Sequence, residues 1–299
     1  MNIGFAGCGL IGSSIALLAE RYLTDVSMHI FEPNSEYRKK IKKILPNTIF
    51  VEDVVDLVKS DFVFVCTPPS KIFDAIDRMV LAEGDDDEFI IVDVGSVKST
   101  IVDQVKSKHP GFKRFVPGHP FAGAVSSGPY DADLNVLHGA PYIITPYDGV
   151  SHEAIESVQL LLEKLKFDVY KIDAGAHDKI VACTSHGLHL FSMVLTERYL
   201  EIAKTELNET GADEFHEALG YMGGSFLSMT KYAMSDSKMW ADIFKENHKS
   251  IKLECQILMS ELNKFIDWME CSGEDDIILR LNSLKNQRLT MGAKKNEDN

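Results

Sequence analysis

The chain has 299 residues, 45% of them hydrophobic, with 31 Lys and Arg against 45 Asp and Glu for a formal charge of −14 at pH 7. That length can bury two cores, while the acidic balance argues against sequence-independent nucleic-acid binding and against an anionic membrane surface, both of which need clustered cations. No signal-like or membrane-length apolar run stands out, and five scattered cysteines without CxxC spacing suggest reduced thiols and a cytoplasmic address.

Residues 2–12, NIGFAGCGLIG, read as a short apolar strand running into Gly7-x-Gly9-x-x-Gly12. That spacing suits a dinucleotide pyrophosphate: Gly7 for the tight turn, Gly9 for close backbone approach, Gly12 for packing the next helix against its strand. Leu10 and Ile11 complete the loop, and the helix behind them offers unpaired N–H groups to the phosphates. A second strand, VSMHIF, ends at Glu32, twenty residues past Gly12. A carboxylate there can accept from both ribose hydroxyls and repel a 2′-phosphate, so NAD is favoured over NADP; the alternative is a solvated residue at a strand end. Arg38, Lys39 and Lys40 could serve a 2′-phosphate or simply form the exposed face of the following helix. Cys8 sits in the loop, either as a thiol activated by the helix end or as a small residue that fits.

Strands are expected near 2–6, 27–31, 61–66, 89–93, 114–117, 141–145 and 167–171, with helices at 10–23, 34–45, 70–82, 98–108 and 152–165. This alternation specifies an α/β fold with a doubly wound parallel sheet of Rossmann type. Ligands bind at the carboxyl ends of such strands, which places Thr67, Pro68, Gly95 and Ser96 near the nicotinamide half of a cofactor unless they are ordinary turns. Past residue 172 helical periodicity takes over, at 174–207, 212–220, 223–234, 238–246 and 248–272. The boundaries expected are a dinucleotide-binding domain over 1–172, an all-α domain over 173–285 and a polar, frayed tail over 286–299. Helix 248–272 carries Ile251, Cys255, Leu258, Leu262, Phe265, Ile266 and Met269 as an apolar stripe, suited to core packing or to a homodimer seam.

Three segments carry polar chemistry: DVGSVK (93–98), GHPFAG (118–123) and AHDKIVACTSHGLH (176–189). On the last, Asp178, Ala182, His186 and His189 share a helical face with Ser185 beside them. Two histidines three apart could ligate a metal, but no third ligand is evident, and no metal is expected.

With GCGLIGSS, YDADLNVLHGAPYIITP and GGSFLSMTKYAMSDSKMWADIF in order around these segments, the chain resembles the prephenate and arogenate dehydrogenases over about residues 1–270. The resemblance implies a nucleotide-binding domain followed by a helical dimerisation domain, a homodimer, and NAD-dependent oxidative decarboxylation of a small dicarboxylate, prephenate, to 4-hydroxyphenylpyruvate in tyrosine biosynthesis. His119 matches the family's catalytic base for the C4 hydroxyl, and Ser96 the serine that steers that hydroxyl. His189, Ser185 and His186 match helix residues lining the substrate pocket, and Gly224 a position near the substrate side chain. Lys231 stands where a carboxylate-gripping arginine is usual, and Ser228 where an acid is frequent. Lysine keeps the charge without the planar fork. Leu188 replaces the family's proline, with Gly187 before it, so a straighter helix is expected there. Arogenate, another cyclohexadienyl compound or a β-hydroxyacid remain as alternative substrates, and a non-catalytic NAD-binding sensor or scaffold is the reading from another class.

Overall fold

The computed structural model describes the chain except residues 85–87, 123–127, 207–219 and 298–299, with backbone alone at 206 and 292–297. Six strands form a parallel sheet in the order β3-β2-β1-β4-β5-β6: β1 Asn2–Ala6, β2 Ser27–Phe31, β3 Ile49–Phe50, β4 Phe62–Val65, β5 Ile90–Asp93 and β6 Phe115–Val116. The register runs Gly4↔His29 on one side of β1 and Gly4↔Val63 on the other. Successive residues point to opposite faces. Ile3, Phe5, Phe64, Val92 and Val116 therefore enter one core with α1 (Leu10–Tyr22) and α5 (His152–Lys164). Ala6, Val63, Val65, Ile91 and Phe115 enter a second with α3 (Pro69–Leu81) and α4 (Ser99–Lys108). Two buried faces explain why these strands read as continuous apolar runs.

The expected strands at 141–145 and 167–171 lie outside this sheet. β7 (Gly118–Pro120), β8 (Pro141–Ile144) and β9 (Asp168–Lys171) form a second, three-stranded sheet, with β7 antiparallel and β9 parallel to β8. Pro117 separates β6 from β7. It has no N–H to extend the parallel ladder, and its carbonyl instead accepts from Thr145 N at 2.9 Å, which hands the chain over to the new sheet.

Helix starts follow side-chain caps. Asn34 accepts from Glu36 N and Tyr37 N at the head of α2 (Ser35–Ile44), Ser151 from Ala154 N at α5, and Asp173 from Ala176 N at α6 (Ala174–Val181). Between α6 and α7 (Gly187–Glu206) the helix widens into a π-turn over Ala182–His186, so the straighter helix expected beside Leu188 is not what forms. Gly187 explains the difference. Its N–H reaches back to the Ala182 carbonyl, and a methyl at position 187 would sit 2.6 Å from that oxygen.

The expected helix 212–220 falls almost wholly outside the described residues. Beyond it come α8 (Gly224–Thr230), α9 (Ser237–Glu246) capped by Asp236, α10 (His248–Cys271) and α11 (Glu274–Glu297). The segment expected to fray is helical as far as Glu297, in keeping with its run of good helix formers. Contacts divide the chain into Met1–Ile251 and Lys252–Asn299. Within the smaller unit Arg280 lies over the rings of Phe265 and Trp268, 4.3 Å from each centroid. Of the stripe on α10, Ile251 is buried, Cys255 and Phe265 are half-buried, and Leu258, Leu262, Ile266 and Met269 are 40–47% exposed. No helix of the described residues is long and apolar enough to cross a membrane.

Candidate active site

The glycine loop divides its work as the spacing implies. Gly7 has φ +85°, and a methyl there would come within 3.1 Å of the backbone of Cys66 and Thr67 at the end of β4. At Gly12 a methyl would meet the Gly7 carbonyl at 2.7 Å, while a methyl at Gly9 would have nothing within 4 Å among the described residues. The open position is the one at which a pyrophosphate would approach. Helix α1 starts at Gly9 without a side-chain cap or an acid in its first turn, so its leading N–H groups remain available to an anion. Leu10 is buried and Ile11 half-buried behind them.

Glu32 is 6% exposed, which rules out the solvated strand end. Its two oxygens accept from Cys8 N and Asn34 N, each at 2.9 Å, and Gly7 N donates to Phe31 O at 2.8 Å. The carboxylate thus braces the glycine loop and keeps lone pairs for ribose hydroxyls. Arg38 donates to the Glu32 carbonyl and pairs with Glu52 at 2.8 Å. Burial pushes the Cys8 thiol up to about 12, against the reactive alternative. The Thr67 hydroxyl is buried without a hydrogen-bond partner among the described residues, beside Pro68 at the head of α3. An open glycine, uncapped helix N–H groups, an acid at the second strand end and an orphan hydroxyl on the loop opposite together fit a nicotinamide dinucleotide.

The DVGSVK segment and GHP strand are locked together by a buried pair. Lys98, fully buried, forms an ion pair with Asp93 and donates to Gly118 O at 2.7 Å. Asp93 in turn accepts from Gly95 N at 2.9 Å and Gly118 N at 3.1 Å, and its own carbonyl accepts from Tyr142 OH at 2.9 Å. Ser96 and His119 each follow directly on a backbone group held by Asp93. Gly118 is tightly enclosed: a methyl there would overlap the Tyr142 ring at 2.4 Å. Burial pushes Lys98 below the usual lysine range against the pull of Asp93.

His119 is half-buried, and its Nδ1 lies 2.9 Å from Nε2 of His177. His177 Nδ1 lies 2.9 Å from Asp178 Oδ1. Asp178 also accepts from Lys98 N and Ser99 N, both at 2.8 Å, at the head of α4. Burial would raise the Asp178 carboxyl, but the bonds from His177, Ser99 and Lys98 hold it below the usual carboxylate range. Burial, reinforced by His177, Lys98 and His186, pushes His119 well below the ordinary imidazole value. An imidazole uncharged at neutral pH is a competent base.

The helix histidines separate. His186 is 1% exposed, its Nδ1 is 3.0 Å from Asn247 Nδ2, and burial pushes it down to about 4. The expectation that it contacts substrate gives way to a packed, bonded side chain. His189 is half-buried and stacks on Trp240 with centroids 3.5 Å apart; the Tyr232 ring lies 4.6 Å from that of His189, and Lys231 Nζ stands 4.8 Å from the Tyr232 centroid. This row joins His189 to the exposed Lys231, with half-buried Ser185 lending its carbonyl to His189 Nδ1 at 3.0 Å. Gly224 and Ser228 are exposed on α8. Sequence reasoning missed His177 and Trp240. Adjacency in AHDK was the available signal for the first; for the second only the aromatic stack reveals a place. Among the described residues no three His, Cys, Asp or Glu side chains gather as metal ligands do.

Two family models match the chain: prephenate dehydrogenase, nucleotide-binding domain, over residues 16–171, and prephenate dehydrogenase, dimerization domain, over 173–283. A cyclohexadienyl dehydrogenase of Zymomonas mobilis is 25% identical, covering 97% of this chain and 96% of its own. A prephenate dehydrogenase of Lactococcus lactis is 29% identical over 81% of this chain, which spans 63% of that longer relative. In fold, the chain superposes on the crystal structure of prephenate dehydrogenase from A. aeolicus in complex with hydroxyphenyl propionate and NAD+ with a TM-score of 0.84, at 24% identity, covering 97% of this chain and 98% of that one.

Proposed function

Because the chain belongs to the prephenate dehydrogenase family, we propose that it catalyses NAD-dependent oxidative decarboxylation of prephenate to 4-hydroxyphenylpyruvate, as a cytoplasmic homodimer. The observation that carries the reading is His119, fixed by its Nδ1 and half-exposed, one residue past the Gly118 backbone that Asp93 and Lys98 hold. In this reading Nε2 of His119 takes the proton of the substrate's C4 hydroxyl while Ser96 orients that hydroxyl. The nicotinamide, when bound over Gly95, Thr67 and Pro68, supplies the hydride acceptor. Loss of the ring carboxylate as CO2 leaves an aromatic ring, which makes the step effectively irreversible.

The protein's task is then placement and charge. Gly7, Gly9, Leu10, Ile11 and Gly12 with Glu32 would bind the dinucleotide; Lys231 and His189 would meet the two carboxylates, with Ser185 holding His189 and Gly224 near the side chain. A locally positive pocket of this kind can draw in a dianion despite the net charge of −14. The exposed apolar residues of α10 support pairing through the helical domain, and five free cysteines suit a reducing compartment. Absorbance at 340 nm, followed with prephenate or arogenate and with NAD or NADP, tests the reading. Production of NADH from prephenate is expected; NAD binding without turnover of either substrate would leave a sensor or scaffold instead.

A further inference from the structure

We infer that His177 and Asp178 are positioning residues that hold His119 in the tautomer with hydrogen on Nδ1, leaving Nε2 as the only nitrogen able to accept the substrate's proton. The assignment follows along the chain of bonds and rests on the reaction proposed above. Asp178 takes N–H bonds from Lys98 and Ser99 at 2.8 Å, so both of its oxygens act as acceptors. Facing Oδ1 at 2.9 Å, His177 Nδ1 must carry a hydrogen. Its Nε2 then presents a lone pair to His119 Nδ1 at 2.9 Å, which must carry the next hydrogen. Among the described residues Nε2 of His119 has no hydrogen-bond partner.

The relay is rigid from both ends. Asn247 Nδ2 donates to the Asp178 carbonyl at 3.0 Å, Asp173 caps α6 through Ala176 N, and His177 is 1% exposed. The His119 and His177 rings meet edge to face at 77°, with centroids 5.1 Å apart, so neither can turn without breaking the bond. When Nε2 gains the hydroxyl proton, His119 becomes an imidazolium bonded through Nδ1–H to His177, with the Asp178 carboxylate next in line. The proton ends on Nε2 and no other hydrogen need change atoms. A buried carboxylate that orients an imidazole in this way acts through tautomer and charge, not through substrate contact.

Nitrogen-resolved NMR of ¹⁵N-histidine-labelled full-length protein at neutral pH is the direct test. Nδ1–H with a bare Nε2 is expected for His119, assigned by loss of its signals in His119→Asn. A wild-type His119 with hydrogen on Nε2 overturns the inference even if prephenate is oxidised normally; the expected tautomer in a protein inert toward prephenate would instead overturn the reaction. His177→Leu should reduce kcat on the order of 10²-fold or more, bounded by the ~10⁴ that a wrong tautomer can cost, with KM for NAD unchanged. His177→Gln, whose amide oxygen can accept from Nδ1–H, should recover part of that loss. Equal losses in both variants would reduce His177 to a structural role, and NMR on the wild-type chain decides the matter if either variant fails to fold.

Discussion

The glycine-loop region and the His119 region lie in one unit of the chain but are built of different material. Around Gly7, Gly9 and Gly12 the features offered to a ligand are backbone N–H groups and empty space, contributed by one strand, one turn and one helix contiguous in sequence. Around His119 they are side chains from β7, β5 and the loop after it, α6 and the residue after α9, spanning 93 to 247. Backbone donors present a fixed pattern to a common cofactor, whereas a reacting hydroxyl needs a base with a tuned proton affinity and one tautomer. The first kind of site depends on the absence of side chains, since a methyl at Gly7 or Gly12 would meet backbone; the second depends on which side chains are present.

The sharpest way to break that contrast is at the base itself. His119→Asn should lower kcat by about 10²- to 10⁴-fold while the NAD dissociation constant, followed by fluorescence quenching, stays within about twofold; near wild-type turnover would end the assignment. Next comes the clamp. Lys98→Met leaves Asp93 as an uncompensated buried charge, and urea denaturation should show a loss of about 3–5 kcal/mol. A loss below about 1 kcal/mol would mean that water reaches Asp93 and that the clamp does not set the strand.

Acid should expose the same region through His186. Its folded-state value, about 4, lies below the ordinary 6.5, so the unfolded chain binds the extra proton between those limits. The stability this group contributes is complete above pH 6.5 and drains away as pH falls towards 4, at up to about 1.4 kcal/mol per pH unit. His186→Asn should flatten that part of the urea-midpoint profile, and an unchanged slope would assign it to other groups. The smallest effect belongs to the backbone-built site: Glu32→Ser should shift the NAD/NADP preference by about tenfold, roughly one charge-assisted hydrogen bond, measured as the ratio of kcat/KM values. An unchanged ratio would confine Glu32 to bracing Cys8 and Asn34.

Legibility follows the same divide. The strands of the parallel sheet other than the two-residue edge strand β3, which is too short to show a pattern, were readable, as were the glycine loop and Glu32, because each is a local pattern of apolar runs and turn residues. His119 and Ser96 were reached through the resemblance of whole segments. β7 escaped because three residues containing a glycine and a proline show no alternation, and with it went the second sheet. His177 escaped because a histidine beside an aspartate on a helix looks like any solvated polar pair until Lys98 and Ser99 close over it. The packing of His186 was not readable either: helical spacing gives a shared face but not which neighbour covers it, and Asn247, sixty-one residues later, does.

The π-turn at Ala182–His186 makes this helix a register device. An α-helix turns about 100° per residue, so rewinding the same residues 182–186 as regular α-helix, with no extra residue taken up in the turn, would swing everything after it round by about that angle. His189 would leave Trp240, while His177 and Asp178, upstream, would keep their places. The groups proposed to handle the proton and those expected to meet the carboxylates are thus phased against each other by a single extra residue, which gives an evolving chain a way to re-aim the one set without disturbing the other.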